Sequence, residues 1–304
     1  VAAVIGIIYL GLTAIWAGAL WLAGMSGFEA IAHAMTTIAT GGFSTHDASI
    51  GHYNSAAIDT IITLGMIMGS LPFLLYLLAI QGNPGRLFRD SQVQWFLTTL
   101  IVVIALVGGW LWLGQNIDPV QSLRLASFNV VSIMTGTGYA TAGFDNWGSF
   151  VLPIFFFIMF VGGCAGSTTC GIKIFRFQVI YAAARTQFQS LAQPHGVFIP
   201  YYNRNPIPDE VTNSVMSFFF VFGATFAVLA MLLAMLGLDF LTSVSAAASA
   251  IANVGPGLGP VVGPEGSYTS LPVAAKWILS VGMLLGRLEL FTVMVLFTRT
   301  FWRA

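Results

Sequence analysis

Apolar residues in this chain are gathered into long runs, and the long runs are separated by shorter, more polar ones. Crossing a bilayer core takes about 20 apolar residues in one helix. Six runs meet that length: Val1–Ala23, Ile58–Ile80, Val93–Leu113, Phe150–Tyr181, Val215–Leu236 and Val273–Phe297. Three further segments, Phe28–Thr37, Ser122–Met134 and Leu241–Asn253, are too short to cross. Runs of that length suit re-entrant or interfacial helices. The pattern predicts an all-α integral membrane protein in which the order span, short helix, loop, span occurs three times.

Composition excludes a water-soluble domain. Of the 304 residues, 57% are apolar and 7% charged, against about 25% charged in soluble proteins. Formal net charge is zero, so no nucleic-acid partner is indicated. Cys164 and Cys170 lie in an apolar, glycine-rich stretch with no His or acid nearby. They read as small buried residues rather than a disulfide or metal pair. The sequence opens in mid-hydrophobic run without a signal-peptide pattern, so a fragment lacking its N-terminal part is expected.

Charge then sets the orientation. Arg86, Arg89, Lys173, Arg176, Arg185, Arg204, Arg299 and Arg303 follow the second, fourth and sixth spans. The opposite loops carry Glu29, Asp47, Asp59, Asp118, Asp145, Asp239 and Glu265 against Arg124 and Lys276. The positive-inside rule makes the arginine side cytoplasmic and turns the short helices outward. Glu29 and Asp239 stand at the starts of short helices, where a carboxylate favours the positive helix end.

Laid over one another, the loops after the short helices read Thr40-Gly41-Gly42-Phe43, Thr141-Ala142-Gly143-Phe144 and Asn253-Val254-Gly255-Pro256. The following spans share Met-x-x-Gly at Met66–Gly69, Met159–Gly162 and Met283–Gly286. One such match carries little weight; three in matching positions are an internal repeat. Irregular backbone at membrane depth is tolerated where it lines a cavity or is buried in protein. A loop lined with carbonyls can replace the hydration shell of a cation, and glycine reaches the backbone angles this requires. The expected ion-binding residues are therefore Thr40, Gly41, Gly42, Thr141, Ala142, Gly143, Asn253, Val254 and Gly255, with a cation held by their backbone carbonyls. Any one of these glycines alone would read as an ordinary turn.

With these motifs the chain resembles the Trk/Ktr/HKT superfamily of potassium transporters, and within it the bacterial Trk membrane subunits. The resemblance is carried by TTIATGGFSTHDASIG (Thr36–Gly51), TGTGYATAGFDNWG (Thr135–Gly148), GGCAGSTTCGIKIFRF (Gly162–Phe177), IANVGPGLGP (Ile251–Pro260) and GMLLGRLELF (Gly282–Phe291). It implies four helix–pore helix–helix units around one pore, of which the second, third and fourth are expected here. Their boundaries fall at 1–80, 93–181 and 215–304, with a cytoplasmic linker over 182–214. The resemblance further implies K⁺ selectivity, a homodimer, and a cytosolic nucleotide-binding ring as regulator. Members that prefer Na⁺ typically carry serine for a filter glycine, usually in the first unit.

The fourth span is interrupted by Gly162-Gly163-Cys164-Ala165-Gly166-Ser167-Thr168-Thr169-Cys170-Gly171. Each helical glycine costs about 1 kcal/mol against alanine, and Ser and Thr add competing local bonds, so a break is predicted over 162–171. It reads either as a pore-lining gate or as a close helix-packing site; the resemblance implies an intramembrane gating loop, with Gly162, Gly163, Gly166, Ser167, Thr168, Thr169, Gly171 and Lys173. Arg287, near the middle of the sixth span, is costly in lipid and by default functional. It is expected to face the conduction path and donate to carbonyls of this loop, or else to tie helices together; the family has an arginine at this constriction. Glu289, two residues on, points to another helix face.

The stretch Arg185–Asn213, with four prolines, reads as an irregular cytoplasmic linker that contacts either a regulator or anionic lipid. Gated K⁺ uptake is the leading function. The alternative is a secondary transporter coupled to H⁺ or Na⁺, with Arg287, Glu289 and His33 as its ionisable groups. No nucleophile–base set, metal-ligand spacing or nucleotide loop is apparent, so neither an enzyme nor an organic cofactor is expected.

Overall fold

The computed structural model describes residues 2–203, 205–288, 290–296 and 301–302. Arg204, Glu289, Arg299 and Arg303, used above for topology and coupling, lie outside the described residues. Three outer helices are α1 (Ala2–Leu22), α6 (Ser91–Gln115) and α10 (Asp209–Met235). Each is long and apolar enough to cross a membrane, and each leaves much of its apolar surface facing outward. The short helices are α2 (Gly27–Ile38), α7 (Pro119–Met134) and α11 (Phe240–Ala252). The inner helices are α3 (Ala56–Gly69) with α4 (Phe73–Ile80), α8 (Val151–Ile158) with α9 (Ile174–Ala192), and α12 (Val273–Arg287) with α13 (Leu290–Leu296). A short helix, α5 (Gly85–Arg89), connects the first unit to the next.

Polar caps fix where the short helices begin. Ser26 and Glu29 form a capping box on α2, Asp118 caps α7 ahead of Pro119, and the Asp239 side chain accepts from Thr242 N. All three thus start with an oxygen acceptor satisfying otherwise orphaned amides. An ion pair ties neighbouring units: Arg124 Nε on α7 lies 2.7 Å from Asp59 Oδ2 in the first turn of α3.

Three expectations are corrected. The run Ile58–Ile80 is not one straight span. Pro72 lacks an amide donor and disfavours helix in the residue before it, and α3 and α4 meet at 94°. In the last span α12 ends at Arg287, so this residue closes a helix rather than occupying its middle. A cation suits that place, because the C-terminal end of a helix is partially negative. Finally, the linker is shorter than 182–214. Helix α9 continues to Ala192 and α10 starts at Asp209, and between them Tyr201–Tyr202 pairs antiparallel with Asn205–Pro206.

Candidate functional site

Helices α2, α7 and α11 end at one cleft of about 690 Å³. Its wall includes Thr40, Gly41 and Gly42, then Thr137 and Gly138, then Asn253, Val254 and Gly255, with Arg287 among the other lining residues. The three loops share one backbone course. Each helix is followed by a left-handed residue, at Thr40 (φ 49°), Gly136 (φ 67°) and Asn253 (φ 55°). Two positions later comes a left-handed glycine: Gly42 (66°), Gly138 (84°) and Gly255 (109°). The conformation is costly for the β-branched Thr40, by about 1–2 kcal/mol, and such strain concentrates at functional sites.

The loops also interlock. A Cβ on Gly42 would land on the carbonyl oxygen of Thr137, and a Cβ on Gly138 on that of Val254. The residue before each glycine therefore presents its carbonyl to the glycine of the preceding unit. The negative ends of three helices meet at this cleft, which favours a cation there.

Each loop is held by a hydroxyl on its own short helix. Thr36 Oγ1 donates to Phe43 O (3.0 Å), Ser132 Oγ to Tyr139 O (2.6 Å) and Ser249 Oγ to Gly255 O (2.8 Å). In all three units the amide five residues after that hydroxyl donates to its carbonyl: Gly41 to Thr36, Thr137 to Ser132, Val254 to Ser249. At the outer rim, Glu29 sits 2.7 Å from His46 Nε2. Its carboxyl is lowered from 4.5 to about 2, first by the Ser26 hydrogen bond and then by His46.

At the foot of the cleft lies the loop 162–171. Its neck is closed by Gly162 N to Ile172 O and Ile172 N to Phe160 O, both 2.9 Å, and a Cβ on Gly162 would strike Cys170 O. The loop docks on the α3–α4 break. Thr168 N and Cys164 N donate to Gly69 O and Ser70 O, and Phe73 N donates to Gly166 O. Two interruptions thus satisfy each other's backbone groups, as an apolar surrounding demands. Arg287 Nη1 reaches Thr168 O at 3.3 Å and Cys170 Sγ at 2.7 Å. Below the loop is a second cavity of about 220 Å³, lined by Ser167–Gly171, Lys173, Arg176 and Arg287. Arg287 therefore borders both cavities.

The family model for TrkH, described as a cation transport protein, matches residues 1–303. This chain belongs to the TrkH family. It is 48% identical over 299 residues to the Trk system potassium uptake protein TrkI of Halomonas elongata, covering 97% of this chain and 60% of that protein. It is 36% identical over 303 residues to the Trk system potassium uptake protein TrkH of Escherichia coli, covering 98% and 61%. Among solved structures, the potassium transporter TrkH from Vibrio parahaemolyticus superposes with a TM-score of 0.90 at 35% identity, over 97% of this chain and 64% of that one. The chain spans about 60% of the length of the curated relatives it matches. Membership establishes a multi-pass membrane protein of a transporter family, not an enzyme family.

Within this TrkH-family fold the middle loop differs from the expected one. Helix α7 ends at Met134, so the residues matching Thr40-Gly41-Gly42 are Gly136-Thr137-Gly138, not Thr141-Ala142-Gly143. The latter lie farther along the chain. Asn129 Nδ2 donates to Thr141 Oγ1 (2.9 Å), Ala142 O accepts from Phe144 N, and Gly143 faces Glu265 and Asn146. Gly136–Gly138 and the bracing Thr36, Ser132 and Ser249 were not singled out from sequence. A signal existed: a hydroxyl residue stands six positions before each glycine–ring pair, at Thr36/Gly42-Phe43, Ser132/Gly138-Tyr139 and Ser249/Gly255-Pro256.

Proposed function

We propose that this chain supplies three filter loops and the gate of a K⁺ uptake pore. Backbone carbonyls of residues 40–42, 136–138 and 253–255 replace the hydration shell of K⁺ as it descends the cleft. The loop 162–171 and Arg287 close the path beneath, where a fixed positive charge repels the ion until the loop moves. The observation that carries the reading is the interlock of three like-shaped loops at one cleft, glycine against carbonyl. The potassium uptake named for TrkI and TrkH supports it. A homodimer with a cytosolic nucleotide-binding ring belongs to the same proposal and rests on the family resemblance.

Coupling to H⁺ or Na⁺ is the less supported reading. His33, its candidate relay, has both ring nitrogens engaged, Nδ1 with Glu29 O at 2.8 Å and Nε2 with Ser44 Oγ at 3.1 Å. Bilayer currents under bi-ionic K⁺/Na⁺ conditions test the proposal. Gly138→Ser should abolish the K⁺ preference while Gly143→Ser retains most of it. Equal effects of the two, or slow flux that dissipates a proton gradient with no current, would overturn it.

A further inference from the structure

One side chain of the gate loop, that of Thr168, hydrogen-bonds at the start of the first filter loop. Thr168 Oγ1 stands 3.0 Å from Ile38 O at the end of α2 and 3.0 Å from Gly69 O at the end of α3. Its single proton is shared between these two carbonyls. The same oxygen lies 3.3 Å from Thr40 Oγ1, whose single proton is shared between it and the nearer Ala39 O at 2.8 Å, and Thr40 is the strained left-handed residue that opens the first filter loop. Both Ile38 O and Gly69 O are end-of-helix acceptors without an intrahelical amide. Gly69 lets the two helices approach closely enough for one hydroxyl to reach both, since a Cβ there would come 2.7 Å from Ile38 O. On its other side, the carbonyl of Thr168 takes the bond from Arg287.

From this geometry we infer that Thr168, a residue of the gate loop, also determines ion selectivity, by positioning Thr40 and the end of α2. The inference rests on the filter proposal above. If Arg287 lets go and the loop swings away, Ile38 O and Thr40 Oγ1 lose a partner together. The filter loop at residues 40–42 is then released from its left-handed turn, so opening the gate loosens the discrimination between cations. Neither Ser167 nor Thr169 has this reach. Their hydroxyls bond each other, Cys164 O and Gly163 N, all within the loop.

The test is the K⁺/Na⁺ permeability ratio, measured beside rubidium tracer flux on the reconstituted protein. Thr168→Val deletes the hydroxyl at nearly constant volume and should lower the ratio about fivefold, the effect of one lost hydrogen bond. Thr168→Ser keeps the hydroxyl and should keep the ratio. Thr168→Ala gives the same reading if the valine variant does not fold. A ratio unchanged in the hydroxyl-free variants, with Gly138→Ser still lowering it, overturns the inference and leaves the filter standing. A ratio unchanged in all of them overturns the filter reading as well. A ratio lowered equally by Thr168→Ser would show a packing effect and also count against the role.

Discussion

The two ends of the cleft are built on opposite plans. At the outer end a capped helix and a bracing hydroxyl recur three times, and in two of the three loops a glycine packs on the next loop's carbonyl. At the inner end a single loop from one unit leans on the broken helix of another and on one arginine. Repetition distributes the load, so no one of the three braces decides whether the outer end keeps its shape. The foot has no second copy, and a few bonds hold it shut. On the reading proposed above, a selective element must hold ångström-scale geometry whereas a gate must be able to leave its seat, and the contrast in construction fits that division.

If this contrast is right, the largest change in transport comes from the foot. Arg287→Ala removes a charged donor whose hydrogen bond is worth about 1.5–3 kcal/mol, and resting rubidium flux should rise roughly 10- to 100-fold. Unchanged or lower flux at normal expression would sink the gate role. Next comes the tie between units. Breaking the Asp59–Arg124 pair by Arg124→Ala should lower thermal stability by about 2–4 kcal/mol, short of the full value for buried pairs because the Arg124 side chain is 30% exposed. A reciprocal Asp59→Arg, Arg124→Asp exchange should recover part of the loss. A smaller effect is expected from a single brace. Ser249→Ala should cost about 1 kcal/mol of stability with a modest fall in K⁺ preference, because the other two braces persist. A complete loss of selectivity there would contradict the idea of shared load.

The smallest effect lies at the rim. Glu29 titrates lower in the folded protein than in the unfolded chain, so its contribution is fully present above the ordinary carboxylate value of 4.5. It is lost as pH falls toward about 2. Acid unfolding followed by fluorescence should be shallower in Glu29→Gln over that window, and an identical profile would remove Glu29 from the account.

Much of this architecture was legible in the residues. Long apolar runs gave the outer helices, and their shorter neighbours gave α2, α7 and α11 to within a few positions, because bilayer thickness acts directly on length. The glycine run at 162–171 announced a break for the same local reason. Register was less legible. Thr141-Ala142-Gly143-Phe144 imitates Thr40-Gly41-Gly42-Phe43 in sequence, but the loop begins where its helix ends, and the short segment Ser122–Met134 already ended well before Thr141, so the likeness in residue type outweighed the distance from the helix end. The α3–α4 bend was also missed, since Leu71 and Pro72 keep the segment apolar and hydropathy is blind to direction. Likewise, Arg287 sits in an apolar run in sequence, yet in three dimensions it terminates a helix.

The mutual docking of the two interruptions has a consequence for biogenesis. Ribosomes make α3 and α4 well before the loop 162–171 emerges, so the carbonyls of Gly69 and Ser70 have no permanent partner when their unit enters the membrane. Such groups are costly in lipid. The earlier unit must therefore wait, shielded by water or by the insertion machinery, until the later one arrives to complete it. Insertion and tertiary assembly cannot be separate stages for this pair, and a truncation between them should leave the first unit vulnerable to membrane proteases.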